Sequence, residues 1–465
     1  MTFPRSTPGA LGISPKAVSS FIEAVNEKKL GLHSFMLVRH GQVAAEGWWK
    51  PYSPDFVHML FSLSKSFTST AVGFACQEGL LSIEDDVVSF FKDELPADPC
   101  ANMMKMKVKN LLTMGTGHSK EPHALNGEKW AYNFLTSYVD KEPGSIFTYN
   151  TPATYMLSRI VQKVTKEKVF DYLKPRLFEP LGIQNIWWEE SPEGANTGGF
   201  GLNLHTEDIA KFGQFLLNKG AVDGKQLLNP EWIEMATSKQ ISNGDPNEDS
   251  DWSQGYGFQF WRCKREGVYR GDGAFGQYCV VMPKQDAVLA ITSGSNDIGQ
   301  ILNEAWAHLL PGMGDKCEDD GLEEMNALIE SLKIDLPGGS ANVAGESAEY
   351  EMSANPLGIK SLKFTFEEDK AKIAFTYLYE TPYQKNEAIP FGYGKWIENG
   401  ERLGHTFAAC TQGEEGDIHF KFILAETPFI REVTLTQKKE FAEMKVKQNV
   451  GFDSVDMTLY GKKIG

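Results

Sequence analysis

Basic residues are scarce in this sequence. Lys and Arg number 46 against 62 Asp and Glu, a formal net charge of −16. Such a chain lacks the positive footprint that nucleic acids and anionic membranes require, so neither is an expected partner. Long apolar runs are also missing. None approaches the roughly 18 residues of a membrane-spanning helix, and residues 1–15 hold no apolar core of a secretory leader. Six cysteines (Cys76, Cys100, Cys263, Cys279, Cys317, Cys410) are scattered over 465 residues, with no CxxC pair and no His at metal-ligand spacing. That usage fits free thiols in a reducing compartment, and the expected location is cytoplasmic.

Several catalytic motifs are absent as well: GxxxxGK[ST], HExxH and the GxSxG nucleophile elbow. Gly271-Asp272-Gly273-Ala274-Phe275-Gly276 matches GxGxxG literally. A dinucleotide site needs a helix after that loop, whereas Gln277–Met282 reads as a strand.

What is present is ordinary globular composition, 41% hydrophobic and 23% charged. Residues 15–29 carry helical spacing, with Val18, Phe21, Ile22 and Val25 on one face. Two strands, His33–Val38 and Val43–Trp49, flank the turn His40-Gly41-Gln42. A helix-rich stretch runs from about 62 to 220. Within it Thr206 reads as a cap, Glu207 and Asp208 as a first turn, and Gly220 as a stop. Strand signals return at Tyr256–Trp261, Gln277–Met282 and Ala287–Thr292, and Ile298–Leu310 reads as a helix. The simplest account is α+β: one antiparallel sheet built from both ends of this region, flanked by helices, with a helical insertion.

Residues 1–312 form that domain in this reading, and 313–348, with Pro311-Gly312 before them and Pro337-Gly338-Gly339-Ser340 within, read as a linker. Beyond it the period changes to two: Leu362/Phe364/Phe366, Ile373/Phe375/Tyr377, Ile418/Phe420/Phe422 and Val455/Met457/Leu459. Asn399-Gly400 marks a tight hairpin. Residues 349–465 are therefore expected to be an all-β barrel or sandwich.

The segment with chemical content is Phe61-Ser62-Leu63-Ser64-Lys65-Ser66-Phe67-Thr68-Ser69-Thr70. Ser62 and Lys65 are three residues apart. On a helix that spacing puts both on one face, about 5–6 Å apart at Cβ. A lysine whose pKa is lowered by apolar surroundings such as Met59, Leu60, Leu63 and Phe67 accepts the serine proton. A second pair, Ser89 and Lys92, lies in an acidic-flanked stretch and reads as surface. His33, His40, His58 and His118 read as structural or solvated. Trp187, Trp188 and Trp252 read first as packing residues, second as a pocket wall.

Phe61 to Thr70 resembles the nucleophile motif of the serine β-lactamase and penicillin-binding-protein superfamily, in particular its class C β-lactamase-like and family VIII esterase branch. Phe147-Thr148-Tyr149-Asn150-Thr151 is similar to the family's Tyr-x-Asn motif. Gly271 to Met282 is similar to its third motif and the following strand, and Leu111 to His118 to a segment between the first two motifs. The resemblance covers about residues 1–310. It implies that Ser62 is an acyl-accepting nucleophile and that Lys65 and Tyr149 share the base work. The backbone N–H groups of Ser62 and of Ala274 or Phe275 would form the oxyanion hole. Asn150, Thr151, Gly271, Asp272 and Gly273 complete the implied substrate-binding set.

Two positions depart from the family pattern. Thr151 occupies the place of the family's Asn, with Asn150 adjacent. The third motif, Gly271-Asp272-Gly273 or Asp272-Gly273-Ala274, lacks a leading cation, with Arg270 next door. The implied activity is a cofactor-free serine hydrolase of ester or amide bonds, esterase-like rather than a β-lactamase, acting on a small-molecule or peptide-like acyl substrate. A D-amino-acid peptidase or amidase is the alternative within enzymes. A non-catalytic relative, with the β domain as recognition module, is the alternative outside them.

Overall fold

The computed structural model describes residues 3–379, 386–400, 404–453 and 456–464. The chain divides into two compact units. The first comprises Met1–Gly47, Met59–Ser293 and Asp297–Glu330; the second comprises Trp48–His58, Gly294–Asn296 and Ser331–Gly465.

The first unit opens with helix α1 (Pro15–Glu27), which buries the stripe Val18, Phe21, Ile22 and Val25. Strands β1 (Leu32–Arg39) and β2 (Gln42–Trp48) follow. The turn between them needs left-handed backbone at both of its residues, His40 at φ 52° and Gly41 at φ 71°, the geometry that suits a two-residue hairpin. Helices α2 (Ser64–Gln77), α3 (Thr151–Thr165) and α4 (Thr206–Leu217) belong to the insertion. The chain then returns through β3 (Trp261–Arg262), β4 (Tyr269–Gly273), β5 (Gln277–Met282) and β6 (Ala287–Ser293) to α5 (Ile298–Glu304) and α6 (Leu322–Glu330).

These strands form one sheet in the order β2-β1-β6-β5-β4-β3. Its centre pairs β1 with β6, Phe35 opposite Ile291 and Leu37 opposite Leu289. Strands β1, β5 and β6 are buried along their whole length, which requires cover on both faces. Phe21 of α1 meets Phe35 edge-on at 6.1 Å. On the α4 side a Cβ at Gly213 would lie 2.4 Å from Val288, so only glycine permits that close an approach.

Two local expectations fail. Thr206 does not cap α4. His205 takes that position, and the Thr206 hydroxyl is hydrogen-bonded to Ser34 at 2.7 Å. Tyr256–Trp261 alternates like a strand, but only Trp261–Arg262 is one. Gln259 has φ 65°, and the backbone N–H groups of Phe258 and Gln259 donate to Ala236 and Leu112 rather than to a ladder.

The second unit is a closed barrel. Its strands are β7 (Ala348–Met352), β8 (Ile359–Phe366), β9 (Lys370–Tyr377), β10 (Glu387–Tyr393), β11 (Ile397–Asn399), β12 (Thr406–Gln412), β13 (Ile418–Leu424), β14 (Ile430–Gln437), β15 (Phe441–Gln448) and β16 (Asp456–Lys463). Nine of them close a ring in the order β10-β9-β8-β7-β16-β15-β14-β13-β12, sealed by a short parallel pairing of β10 with β12; β11 flanks β12. The period-two residues supply its core, with Leu362, Phe364, Ile373, Ile418, Phe420 and Leu459 buried. Val455 lies outside the described residues. Asn399 pairs with Thr406, so Asn399-Gly400 is not a two-residue turn; residues 401–403 after it lie outside the described residues.

Candidate active site

The site begins at a strained point of the backbone. Phe61 adopts φ 47°, a region that costs a bulky residue energy and is found where surrounding structure enforces it. Residues Phe61–Leu63 form a single 3-10 turn leading into α2, and Ser62 stands at its middle. From Ser64 to Ala75 every residue of α2 is buried, which explains the run of small side chains: a helix surrounded on all sides leaves room for little else. Two of its hydroxyls reach carbonyls of other segments. Ser66 donates to the Gln259 carbonyl at 2.9 Å and Thr68 to the Gly198 carbonyl at 2.8 Å.

Lys65 is 1% exposed. Its Nζ lies 2.9 Å from Ser62 Oγ, 2.8 Å from the Gly199 carbonyl and 3.4 Å from Thr151 Oγ1. Burial lowers its pKa to about 7, against an opposing pull from Glu121 and Asp272. Nζ thus faces three oxygens, those of Ser62, Gly199 and Thr151, and donates to each.

Tyr149 packs beside this pair. Lys65 Nζ sits 4.9 Å from its ring centroid, and its phenol is hydrogen-bonded to Ser62. The ring stacks on Trp261 at 5.5 Å. Burial, reinforced by Asp272, raises the phenol pKa far above its ordinary value despite the Ser62 bond. Burial thus favours the phenol form of Tyr149.

The third motif lies against the nucleophile turn. A Cβ at Gly273 would stand 2.0 Å from the Leu60 carbonyl, and one at Gly271 would stand 2.5 Å from the Leu63 side chain. Both glycines therefore serve close packing of β4 on the Ser62 turn. Ala274, Phe275 and Gly276 form the turn between β4 and β5. Phe275 has φ 65°, and its ring meets Phe61 edge-on at 5.3 Å.

Arg270 and Asp272 pair with each other inside the protein. Arg270 is completely buried, its Nε 2.9 Å from Asp272 Oδ2, its Nη1 donating to the Asp251 carbonyl, its plane 4.4 Å from Trp252. It is not a free anchor for a substrate carboxylate. Burial pushes the Asp272 carboxyl up, against the pull of Arg270.

The Asn150 side chain is engaged at the start of α3. Its side chain accepts from Ala153 N–H as the N-cap of α3 and donates to Thr116 Oγ1 at 3.0 Å. Thr116 bonds His118 Nδ1, and His118 Nε2 bonds Ser137. Burial lowers the His118 pKa to about 4, so it is a structural neutral imidazole. Ser89 Oγ donates to the Asp86 carbonyl on the exposed surface. Trp188 is a packing residue whose Nε1 donates to the Phe200 carbonyl, while Trp187 is exposed.

Three participants escaped sequence reading. Gly199 contributes only a carbonyl, which no side-chain motif announces. Gln259 fastens three segments, accepting from Thr154 at 2.6 Å and donating to the Leu111 and Leu112 carbonyls. Glu121 accepts from Thr151 N–H at the start of α3, where a carboxylate complements the helix dipole. Its signal, an acid near a helix start, is distant in sequence from the helix it serves.

A family model described as Beta-lactamase matches residues 20–310. The chain belongs to the beta-lactamase family. Among curated relatives of this family member, the 6-aminohexanoate-dimer hydrolase of Paenarthrobacter ureafaciens is 23% identical over 296 residues, 57% of this chain and 73% of that one. An uncharacterised protein of Alkalihalophilus pseudofirmus is 24% identical over 45% of this chain and 66% of its own length, just under two thirds. The octameric penicillin-binding protein homologue from Pyrococcus abyssi superposes with TM-score 0.52 at 16% identity, covering 96% of this chain and 99% of that one. The fold is thus the β-lactamase-like one with a C-terminal closed barrel. Among the described residues no helix is long and apolar enough to cross a membrane.

Proposed function

We propose that this beta-lactamase family member is a serine hydrolase that forms an acyl-enzyme on Ser62. The observation that carries this reading is the 2.9 Å contact between a fully buried lysine of lowered pKa and the Ser62 hydroxyl. In the proposed cycle the neutral Lys65 amine takes the Ser62 proton as Oγ attacks the acyl carbon. The N–H groups of Ser62 and of the Ala274–Phe275 turn receive the oxyanion. Tyr149, held as a phenol, donates to the leaving group and is reprotonated from Lys65. Water then attacks the acyl-enzyme by the reverse proton path.

The substrate class follows from Arg270. Its charge is spent on Asp272 inside the protein, so β4 offers no free cation to a substrate carboxylate. Small neutral esters therefore suit the site better than penicillins. The names of relatives, a 6-aminohexanoate-dimer hydrolase and a lovastatin esterase of Penicillium rubens, are consistent with ester or amide cleavage.

Labelling with a serine-reactive fluorophosphonate, followed by peptide mapping, tests the assignment. A single adduct on Ser62, lost in Ser62→Ala, is expected. An adduct on another serine, or none on verified folded protein, would favour a binding protein that kept the fold.

A further inference from the structure

Trp261 touches the site without belonging to any of its motifs. It stands on β3 directly opposite Arg270 of β4, and residues so paired share a face of the sheet. Asp272, two residues along β4, lies on that face too. The contacts follow from this register. The Arg270 guanidinium lies 5.7 Å from the Trp261 ring centroid, and Trp261 is hydrogen-bonded through its indole N–H to Asp272. Phe147 and Tyr256 meet the indole edge-on at 5.9 and 4.9 Å. Trp261 is therefore held from several sides, in part by a guanidinium that is itself completely buried.

Tyr149 depends on such a support. It lies just before α3, outside any helix or strand, and is half-buried. The backbone on either side of it is fixed: Thr148 N–H donates to the Met114 carbonyl and Asn150 N–H to Met114 Sδ. What remains free is rotation of the ring about its own side-chain torsions, and the phenol reaches Ser62 in only one setting of them. The Tyr149 ring lies 5.5 Å from Trp261 and is tilted from it by only 18°. A flat stack on an immobile indole is attractive beyond the area it buries and selects that setting.

We propose that Trp261 is a positioning residue, which aims the Tyr149 phenol at Ser62, and that the Arg270–Asp272 pair serves to hold Trp261. The proposal rests on the reading of Ser62 as nucleophile and Tyr149 as its proton donor. It gives the buried pair a use other than binding a substrate carboxylate. A misplacement of about 1 Å in a reacting group can cost about a hundredfold in rate, so the alignment is worth a dedicated side chain.

Two measurements on the full chain test it: kinetics on nitrophenyl butyrate, and ¹⁹F spectra with 3-fluorotyrosine, the Tyr149 signal assigned through Tyr149→Phe. Trp261→Leu is expected to lower kcat by about 30- to 100-fold and to change KM less than about threefold. Trp261→Phe keeps a ring but loses the indole N–H, and should fall only about threefold to tenfold. In a Tyr149→Phe background, Trp261→Leu should lower kcat by less than about threefold. A loss that persists there is structural and would overturn the proposal. So would a raised KM with unchanged kcat, which marks a wall that binds substrate. The spectra decide separately from turnover. Ser62→Ala is expected to shift the Tyr149 signal in the wild type and not in Trp261→Leu, and equal shifts in both would overturn the proposal. A wild type that neither turns over ester nor labels on Ser62, with the shifts as expected, would overturn the nucleophile reading and leave the alignment standing. If Trp261→Leu fails to fold, Trp261→Phe takes its place in both measurements, and an unchanged kcat there would overturn the proposal.

Discussion

Lys65 Nζ and the Gly199 carbonyl oxygen are 2.8 Å apart, and Ser62 Oγ lies 2.9 Å from the same nitrogen. A buried amine with four rotatable bonds would otherwise sample several rotamers. In the proposed mechanism the carbonyl takes one N–H and the neutral amine's lone pair serves the Ser62 hydroxyl.

Activity should follow the neutral form of Lys65. An ordinary lysine titrates near 10.4; here burial brings the value to about 7. With the neutral amine as the proposed base, kcat/KM should rise with pH up to about 7 and then level. The Tyr149 phenol titrates far above this range, so no descending limb is expected below about pH 9. Lys65→Arg keeps the charge but cannot become neutral, and should lower kcat/KM by roughly 10²–10⁴. A pH–rate profile of an ester substrate checks both statements. A flat profile between pH 5 and 8 would remove Lys65 as the base.

Tyr149 and Lys65 should behave as one proton-transfer unit. Lys65→Ala and Tyr149→Phe are each expected to reduce kcat/KM by roughly 10²–10⁴. The double variant should fall little further, because either loss already breaks the relay. Additive losses would mean that the two side chains act independently.

Asn150 separates architecture from chemistry. Removing an N-cap costs about 1 kcal/mol, and the Thr116 bond adds to that. Asn150→Ala should lower the unfolding midpoint while changing kcat/KM less than threefold. A hundredfold drop in kcat with unchanged stability would return Asn150 to the reactive cluster.

Arg270 carries the substrate argument. Arg270→Ala strands the buried Asp272 carboxylate, and breaking such a pair costs about 3–5 kcal/mol. The variant should be markedly less stable by denaturant titration. In the wild type, nitrophenyl acetate or butyrate should turn over faster than penicillins or cephalosporins. A hydrogen bond to a charged partner contributes about 1.5–3 kcal/mol, so a missing cation weakens carboxylate substrates by about 10- to 150-fold. Efficient penicillin hydrolysis by the wild type would show that another group supplies the anchor.

The sequence made some of this legible, for physical reasons. Ser62 and Lys65 are side chains at a fixed helical spacing, and spacing survives translation into structure. The barrel was visible because its inward residues alternate, as Ile373 and Phe375 do. The α1 stripe was visible for the same reason at period 3.6. Other features had no local signature. Tyr256–Trp261 alternates like a strand, yet long-range hydrogen bonds from Phe258 and Gln259 override the pattern. Thr206 looks like a cap but is drawn to Ser34 across the fold. Arg270 sits beside the motif in sequence, and only strand alternation with tertiary cover decides that its charge turns inward.

The central sheet has a temporal consequence. Strand β1 is synthesised by Arg39 but finds its neighbour β6 only when Ala287–Ser293 has been made. At roughly 5–20 residues per second that wait is on the order of 10–50 s. Throughout it an eight-residue strand that is buried in the finished fold, Leu32–Arg39, has β2 on one side and nothing on the other. An unsatisfied edge of that kind recruits other chains. A fragment ending before residue 287 would leave that edge of β1 unpaired and is expected to aggregate rather than fold.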